Sequence, residues 1–193
     1  MAKRQCIHFL PEQIAGRRDL RIFEDIRDLK AGSARCAVHE GSCYVSRDPL
    51  FSHIGFSCKN FSKLFNAPDG ISRADFLKAI LQEGKGSSGQ TFRGMIEYAQ
   101  YACPDFLLWE NVEELLSSTL DAFETLHDAF KAVGYVLAVR RRSASQYMLP
   151  QKRVRVYGLC VNVEKSGLKW RQALELVQTI MTQVTSCSIT PSP

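Results

Sequence analysis

The segment Gly55-Phe56-Ser57-Cys58-Lys59-Asn60-Phe61-Ser62 places a thiol just past the apolar run Pro49–Ile54, among small and polar residues. A free cysteine is most often a small buried hydrophobe. A nucleophilic one needs a partly exposed, electropositive setting, and Lys59 stands beside it. Cys58 is therefore either a core thiol or a nucleophile held at a strand end.

Two further groups invite chemistry. Glu110 and Asn111 follow the apolar run Phe106–Trp109. A carboxylate there is costly unless it is paired or faces a ligand. Alternatively, Glu110 caps the next helix and Asn111 turns the chain. In Gln151-Lys152-Arg153-Val154-Arg155, a period of two puts Gln151, Arg153 and Arg155 on one side of a strand and Val154 and Val156 on the other. That basic face is either a solvated edge or a pair of guanidiniums reaching a phosphate or a polar ligand. Cys36, His39 and Cys43 form C-x2-H-x3-C, but no second pair at ligand spacing follows. A structural zinc takes four ligands, so this stretch is expected to be a surface loop with reduced cysteines.

The elements that must position these groups follow from periodicity. Gln5–Leu10 and Pro49–Ile54 read as short strands, and Ile22, Phe23, Ile26 and Leu29 fit one helix face. The stretch from Ala31 to Arg47, rich in Gly, Ser and Cys, reads as a loop. Ser72 with Asp75 makes a capping box for a helix that Gly84 stops. Thr91–Cys103 and Glu113–Val133 read as helices, as does the segment carrying Trp170, Leu174, Val177 and Met181. Asp105–Val112, Tyr135–Arg141 and Arg153–Val163 read as strands, and the tail from Thr185 should fray. Strands alternating with helices predict α/β architecture with a largely parallel sheet, whose ligands bind at strand carboxyl ends.

The 193 residues suffice for one domain with a full core. With 45% hydrophobic and 23% charged residues, an ordered chain is expected outside the termini. A net charge of +5 permits a polyanionic partner without demanding one. Seven cysteines, odd in number and irregularly spaced without a secretory leader, point to reduced thiols in a cytosolic or nuclear compartment. No apolar stretch reaches the ~20 residues of a membrane span, so no membrane partner is expected.

The order and spacing of the three groups are more specific than any one of them. A strand-end cysteine, "PDFLLWENV" about fifty residues on, and "YMLPQKRVRVY" about forty further together resemble the cytosine-5 DNA methyltransferases. "GFSCKNFS" is similar to their Pro-Cys motif, "ENV" to Glu-Asn-Val and "QKRVR" to Gln-x-Arg-x-Arg, while "FEDIRDL" is compatible with their upstream Asp-Ile segment. The resemblance runs from about Phe23 to Asn162. It implies a Rossmann-like, mostly parallel sheet with flanking helices. It also implies methyl transfer from S-adenosylmethionine to carbon 5 of a cytosine flipped out of DNA. Cys58 would add to carbon 6 as a covalent catalyst. Glu110 would bond the N3 and amino edge of the base, and Asn111 would hold the local turn. Arg153 and Arg155 would contact the base carbonyl or adjacent phosphates, with Ser57, Asn111 and Gln151 also on the substrate side.

The chain departs from that pattern, with Lys59 and Asn60 standing where a glutamine-type residue is common. Ser57 replaces the proline before the nucleophile, and no Phe-x-Gly-x-Gly turn with a following acidic residue precedes Cys58. The expectation is the central part of a methyltransferase domain, with the cofactor residues unidentified. A second chain supplying the cofactor half, an inactive relative that binds DNA or a methyltransferase partner, and a transfer RNA substrate are alternatives. A DNA substrate would place the protein in the nucleus of a eukaryote, or otherwise in the cytoplasm.

Overall fold

A computed structural model describes residues 21–39, 41–61, 69–117, 120–147 and 151–183. The strand expected at Gln5–Leu10 and the tail from Thr185 lie outside these residues. In chain order the elements are β1 (Ser33–Cys36), β2 (Gly41–Tyr44), β3 (Phe51–Gly55), α1 (Arg73–Glu83), α2 (Gly86–Ala102), β4 (Phe106–Val112), α3 (Glu114–Ser117), α4 (Leu120–Ala132), β5 (Tyr135–Ser143), β6 (Val154–Asn162), α5 (Val163–Ser166) and α6 (Trp170–Gln183). Short 3-10 turns occupy Ile26–Asp28 and Ala144–Tyr147.

The fold is α/β and Rossmann-like in its layering, with a four-stranded sheet of order β3-β4-β6-β5 between helices. The two faces of the sheet follow from alternation along the strands. On β4, Leu107, Trp109 and Asn111 are buried on one face, and Phe106 and Leu108 are half-buried on the other. The first face packs against α1, α2 and α4 through Leu77, Ile80, Met95, Leu126 and Phe130. The second receives α6, whose Ala173, Val177 and Met181 meet Val136, Leu159 and Val161.

The described strands make the sheet mixed. β3 and β4 are parallel, joined by the α1–α2 crossover, whereas β4–β6 and β6–β5 are antiparallel. Among the described residues only the short 3-10 turn Ala144–Tyr147 lies between β5 and β6, and β6 returns antiparallel. Among the described residues β3 is paired on one side only, and Leu50 and Phe51 stand exposed beside that edge.

Several local signals act as their chemistry dictates. Ser72 Oγ accepts from Asp75 N at 3.1 Å and donates to the Asp75 carboxylate, while Gly84 ends α1 in the left-handed region. Other expectations are corrected. The loop expected over Ala31–Arg47 contains the β1–β2 hairpin, with Ala34 opposite Cys43 and Cys36 opposite Gly41. The helix face expected at Ile22–Leu29 shrinks to one 3-10 turn, because Asp25 accepts from Arg27 N and Phe23 bridges to Cys36. The helix expected from Thr91 begins at Gly86, and the one expected over Glu113–Val133 is divided into α3 and α4.

Trp109 is fully buried over Gly158, the residue opposite it on β6. A Cβ at Gly158 would lie 2.1 Å from Trp109 Cε2, so only glycine lets the indole close onto the ladder. Gly158→Ala is expected to cost ~1–3 kcal/mol, the usual price of overpacking, read as a lower urea midpoint with a shifted tryptophan emission. An unchanged midpoint would show that the indole has room to move.

Candidate functional site: a strand-end thiol and a carboxylate–guanidinium pair

Cys58 lies three residues beyond Gly55, and Gly55 pairs with Glu110 across the parallel β3–β4 junction. The thiol-bearing loop and the carboxylate thus leave the same end of two adjacent parallel strands, where α/β sheets bind ligands. Cys58 is exposed, unlike Cys160, which is fully buried in the core and whose thiol is pushed well up by that burial.

The loop that carries Cys58 is held by bonds on both flanks. Ser57 N donates to Thr91 Oγ1 at 3.0 Å, and Asn60 N donates to Ser88 Oγ at 3.0 Å. Ser88 N returns a bond to Asn60 Oδ1 at 3.2 Å. These partners lie in the first turns of α2, an amino end that favours nearby negative charge. This docking explains why α2 starts at the poor helix formers Gly86, Ser87 and Ser88. Their small side chains and hydroxyls receive the loop. At Gly86 (φ +65°) a Cβ would stand 2.8 Å from Asn60 Oδ1. Phe61 N closes a turn onto Cys58 O at 3.0 Å, and Arg73 Nη2 caps Phe61 O at 2.8 Å.

Asn111 supplies the third hold. It is 2% exposed, donates through Nδ2 to Phe56 O at 3.0 Å and accepts from Val112 N at 2.9 Å. Its side chain is therefore committed to backbone groups. Neither Glu110 nor Asn111 caps a helix, since both lie within β4.

Glu110 lies on the opposite face of β4 from Asn111. Arg155 Nε meets Glu110 Oε1 at 3.0 Å, with the two side chains 26% and 30% exposed. They line a cavity of about 510 Å³ with Arg153, His53, Arg142, Tyr147 and Tyr157. Because β6 begins at Val154, Gln151 and Arg153 precede the strand, and the period of two governs only Arg155 onward. Arg153 still reaches the cavity. Gln151, Ser57, Asn111 and Cys58 are not part of its lining.

Sequence reasoning missed Ser88, Thr91 and His53. A Gly-Ser-Ser-Gly run at the foot of a helix was the available signal for the first two. His53 lines both this cavity and a larger one of about 680 Å³, walled by Phe23, Ile26, Tyr44, Ile54 and Tyr98 among others. The apolar walls of the larger cavity would suit an adenine ring. Among the described residues no carboxylate lines it to bind ribose hydroxyls and no Phe-x-Gly-x-Gly turn occurs, so these residues do not make a complete S-adenosylmethionine site.

Cys36, His39 and Cys43 converge in the hairpin, contrary to the loop reading. His39 Nδ1 lies 3.3 Å from Cys36 Sγ and 3.1 Å from Cys43 Sγ. Burial raises Cys36, but amide donors of His39, Ile22 and Val38, with the His39 ring, outweigh it and bring the thiol to about 6.

The strand-end cysteine and the Glu–Arg pair lie at the end of a layered α/β sheet where the parallel strands β3 and β4 finish and the antiparallel β6 begins. The family model for C-5 cytosine-specific DNA methylases matches residues 55–185, more than half of the chain, and the chain belongs to that family. The match starts at the end of β3 and runs past β6 through α6, further downstream than the motif resemblance reached. A similar curated protein is the DNA (cytosine-5-)-methyltransferase DMT5 of Cryptococcus neoformans var. grubii, 26% identical over 137 residues. That alignment covers 70% of this chain and 5% of the relative's length. Among solved structures, the Dnmt2 methyltransferase of S. pombe is similar at 23% identity and a TM-score of 0.39, over 58% of this chain and 30% of that one. The Entamoeba histolytica methyltransferase EhMeth is similar at 15% identity and a TM-score of 0.35, over 58% and 32%.

Asn111→Ala would leave the buried Phe56 carbonyl without its donor. The expected cost is ~1–3 kcal/mol in urea unfolding, with faster alkylation of Cys58 as its loop loosens. An alkylation rate equal to wild type would show that the clamp does not order the loop.

Proposed function

We propose that this chain performs the cytosine side of methyl transfer to carbon 5 of cytosine in DNA. The observation that carries the reading is the Glu110–Arg155 pair, in contact at 3.0 Å and lining a cavity at the strand end that also launches the Cys58 loop. Family membership supplies the reaction class.

The base must leave the duplex stack, because carbon 6 is inaccessible within it. Carbon 5 is a poor nucleophile until a thiolate adds to carbon 6. Cys58 makes that bond, and the electron pair of the 5,6 double bond becomes available at carbon 5. Glu110 accepts from the exocyclic amino group and holds a proton at N3, so that charge entering the ring is neutralised as the thiolate adds. Arg155 fixes the carboxylate through a charge-assisted bond. Arg153, exposed at the mouth of the cavity, and the neighbouring Lys152 suit phosphate contacts. S-adenosylmethionine, when bound, would supply the electrophilic methyl group. The described residues offer its adenine an apolar wall and its ribose no carboxylate, which leaves the cytosine side as the chemistry of these residues.

Thiol addition makes the carbon 5 hydrogen exchangeable with water even without a methyl donor. Duplex DNA tritiated at carbon 5 of cytosine is expected to release tritium when incubated with the chain. Cys58→Ser should abolish the release, and Glu110→Gln should slow it by ~10²–10⁴-fold, the usual weight of a positioned acid–base group. DNA binding without any release would sink the catalytic reading in favour of a binding relative. Release from labelled RNA and not from DNA would overturn the choice of nucleic acid.

A further inference from the structure

The β1–β2 hairpin stands apart from the main sheet as a separate two-stranded unit. Each of its strands has four residues. A hairpin this short is marginal by itself in water. Its face nevertheless gathers two thiols and an imidazole. Cys36 and Ala34 share one face of β1, and Cys43 is opposite Ala34, so the two cysteines are diagonal neighbours on that face. The turn Ala37–His39 folds the imidazole back between them, and the ligand atoms of all three residues lie within 4.8 Å of one another.

We propose that Cys36, His39 and Cys43 form a zinc-binding site that staples this hairpin. Two thiolates and an imidazole are a borderline-soft donor set, which suits Zn²⁺ and is foreign to Mg²⁺ or Ca²⁺. His39 Nδ1 lies 3.3 Å from Cys36 Sγ and 3.1 Å from Cys43 Sγ, so the imidazole already stands within reach of both sulfurs. Among the described residues no fourth Cys, His, Asp or Glu joins the three. The staple has a structural consequence, because β2 leads directly through Tyr44 and Val45 into the wall of the 680 Å³ cavity. Val45 N is also tied back to Gly32 O at 3.0 Å across the base of the hairpin. Metal binding therefore fixes one side of that cavity.

The test uses the full chain, reduced, stripped with a chelator and titrated with Co²⁺. One Co²⁺ per chain is expected, with the visible bands of tetrahedral cobalt and a near-ultraviolet thiolate-to-metal band, both lost on adding Zn²⁺. Cys43→Ser and His39→Gln should each weaken binding by ~10-fold or more, since even outer-shell partners are worth that much. Cys103→Ser should leave the spectrum unchanged. Cys36 is fully buried, so the half-buried Cys43 and the turn residue His39 keep the test decisive if Cys36→Ser fails to fold. An octahedral spectrum without a thiolate band would overturn the proposal. So would a thiolate band that survives Cys43→Ser at unchanged affinity.

Discussion

The site depends on keeping an irregular loop in place where β3 ends, and a buried carbonyl makes that hard. Once the chain leaves the ladder at Gly55, Phe56 goes into the core and takes its backbone oxygen with it. An unpaired carbonyl there would cost more than most single contacts supply. The Asn111 amide meets it at 3.0 Å from the neighbouring strand. Its other end binds the Val112 amide, so the side chain cannot rotate away without breaking two bonds. Ser88 and Thr91 do similar work from α2. Cys58 is thus presented to solvent by a loop whose flanks are bound into the interior.

The strands then separate positioning from chemistry. On β4, odd-numbered residues from Leu107 to Asn111 face the helical layer of α1, α2 and α4 and secure the frame. Glu110 faces the other way and meets Arg155 across the antiparallel ladder. Adjacent residues therefore play unlike parts, one bonded to buried backbone and one lining the cavity, because the pleat sends them to opposite faces. The Trp109–Gly158 contact lies one rung from the Glu110–Tyr157 pair, so the closest packing in the core stands next to the cavity-lining carboxylate.

Much of this was legible because the signals are local. The Ser72 cap with the Gly84 stop and the apolar stripe of α6 each lie within a few residues, and the spacing of Cys58, Glu110 and Arg155 carried the family. What was not legible rests on distant partners. The bonds that shape the Cys58 loop join residues 28, 34 and 55 apart. The hairpin at Ser33–Tyr44 was hidden because Gly, Ser and Cys have no strand pattern of their own, and cross-strand register supplies what composition lacks. The Ile22–Leu29 stripe has helical spacing, but Asp25 caps a single turn and Phe23 is drawn to Cys36.

The outer side of β3 has a practical implication for handling the protein. Among the described residues its amides and carbonyls on that side are without a strand partner, and Leu50 and Phe51 are 69% and 54% exposed nearby. Such a border is a template for another chain. Where that border is bare in solution, samples associate through backbone pairing, and colloidal behaviour, more than loss of folding, governs how concentrated they can be made.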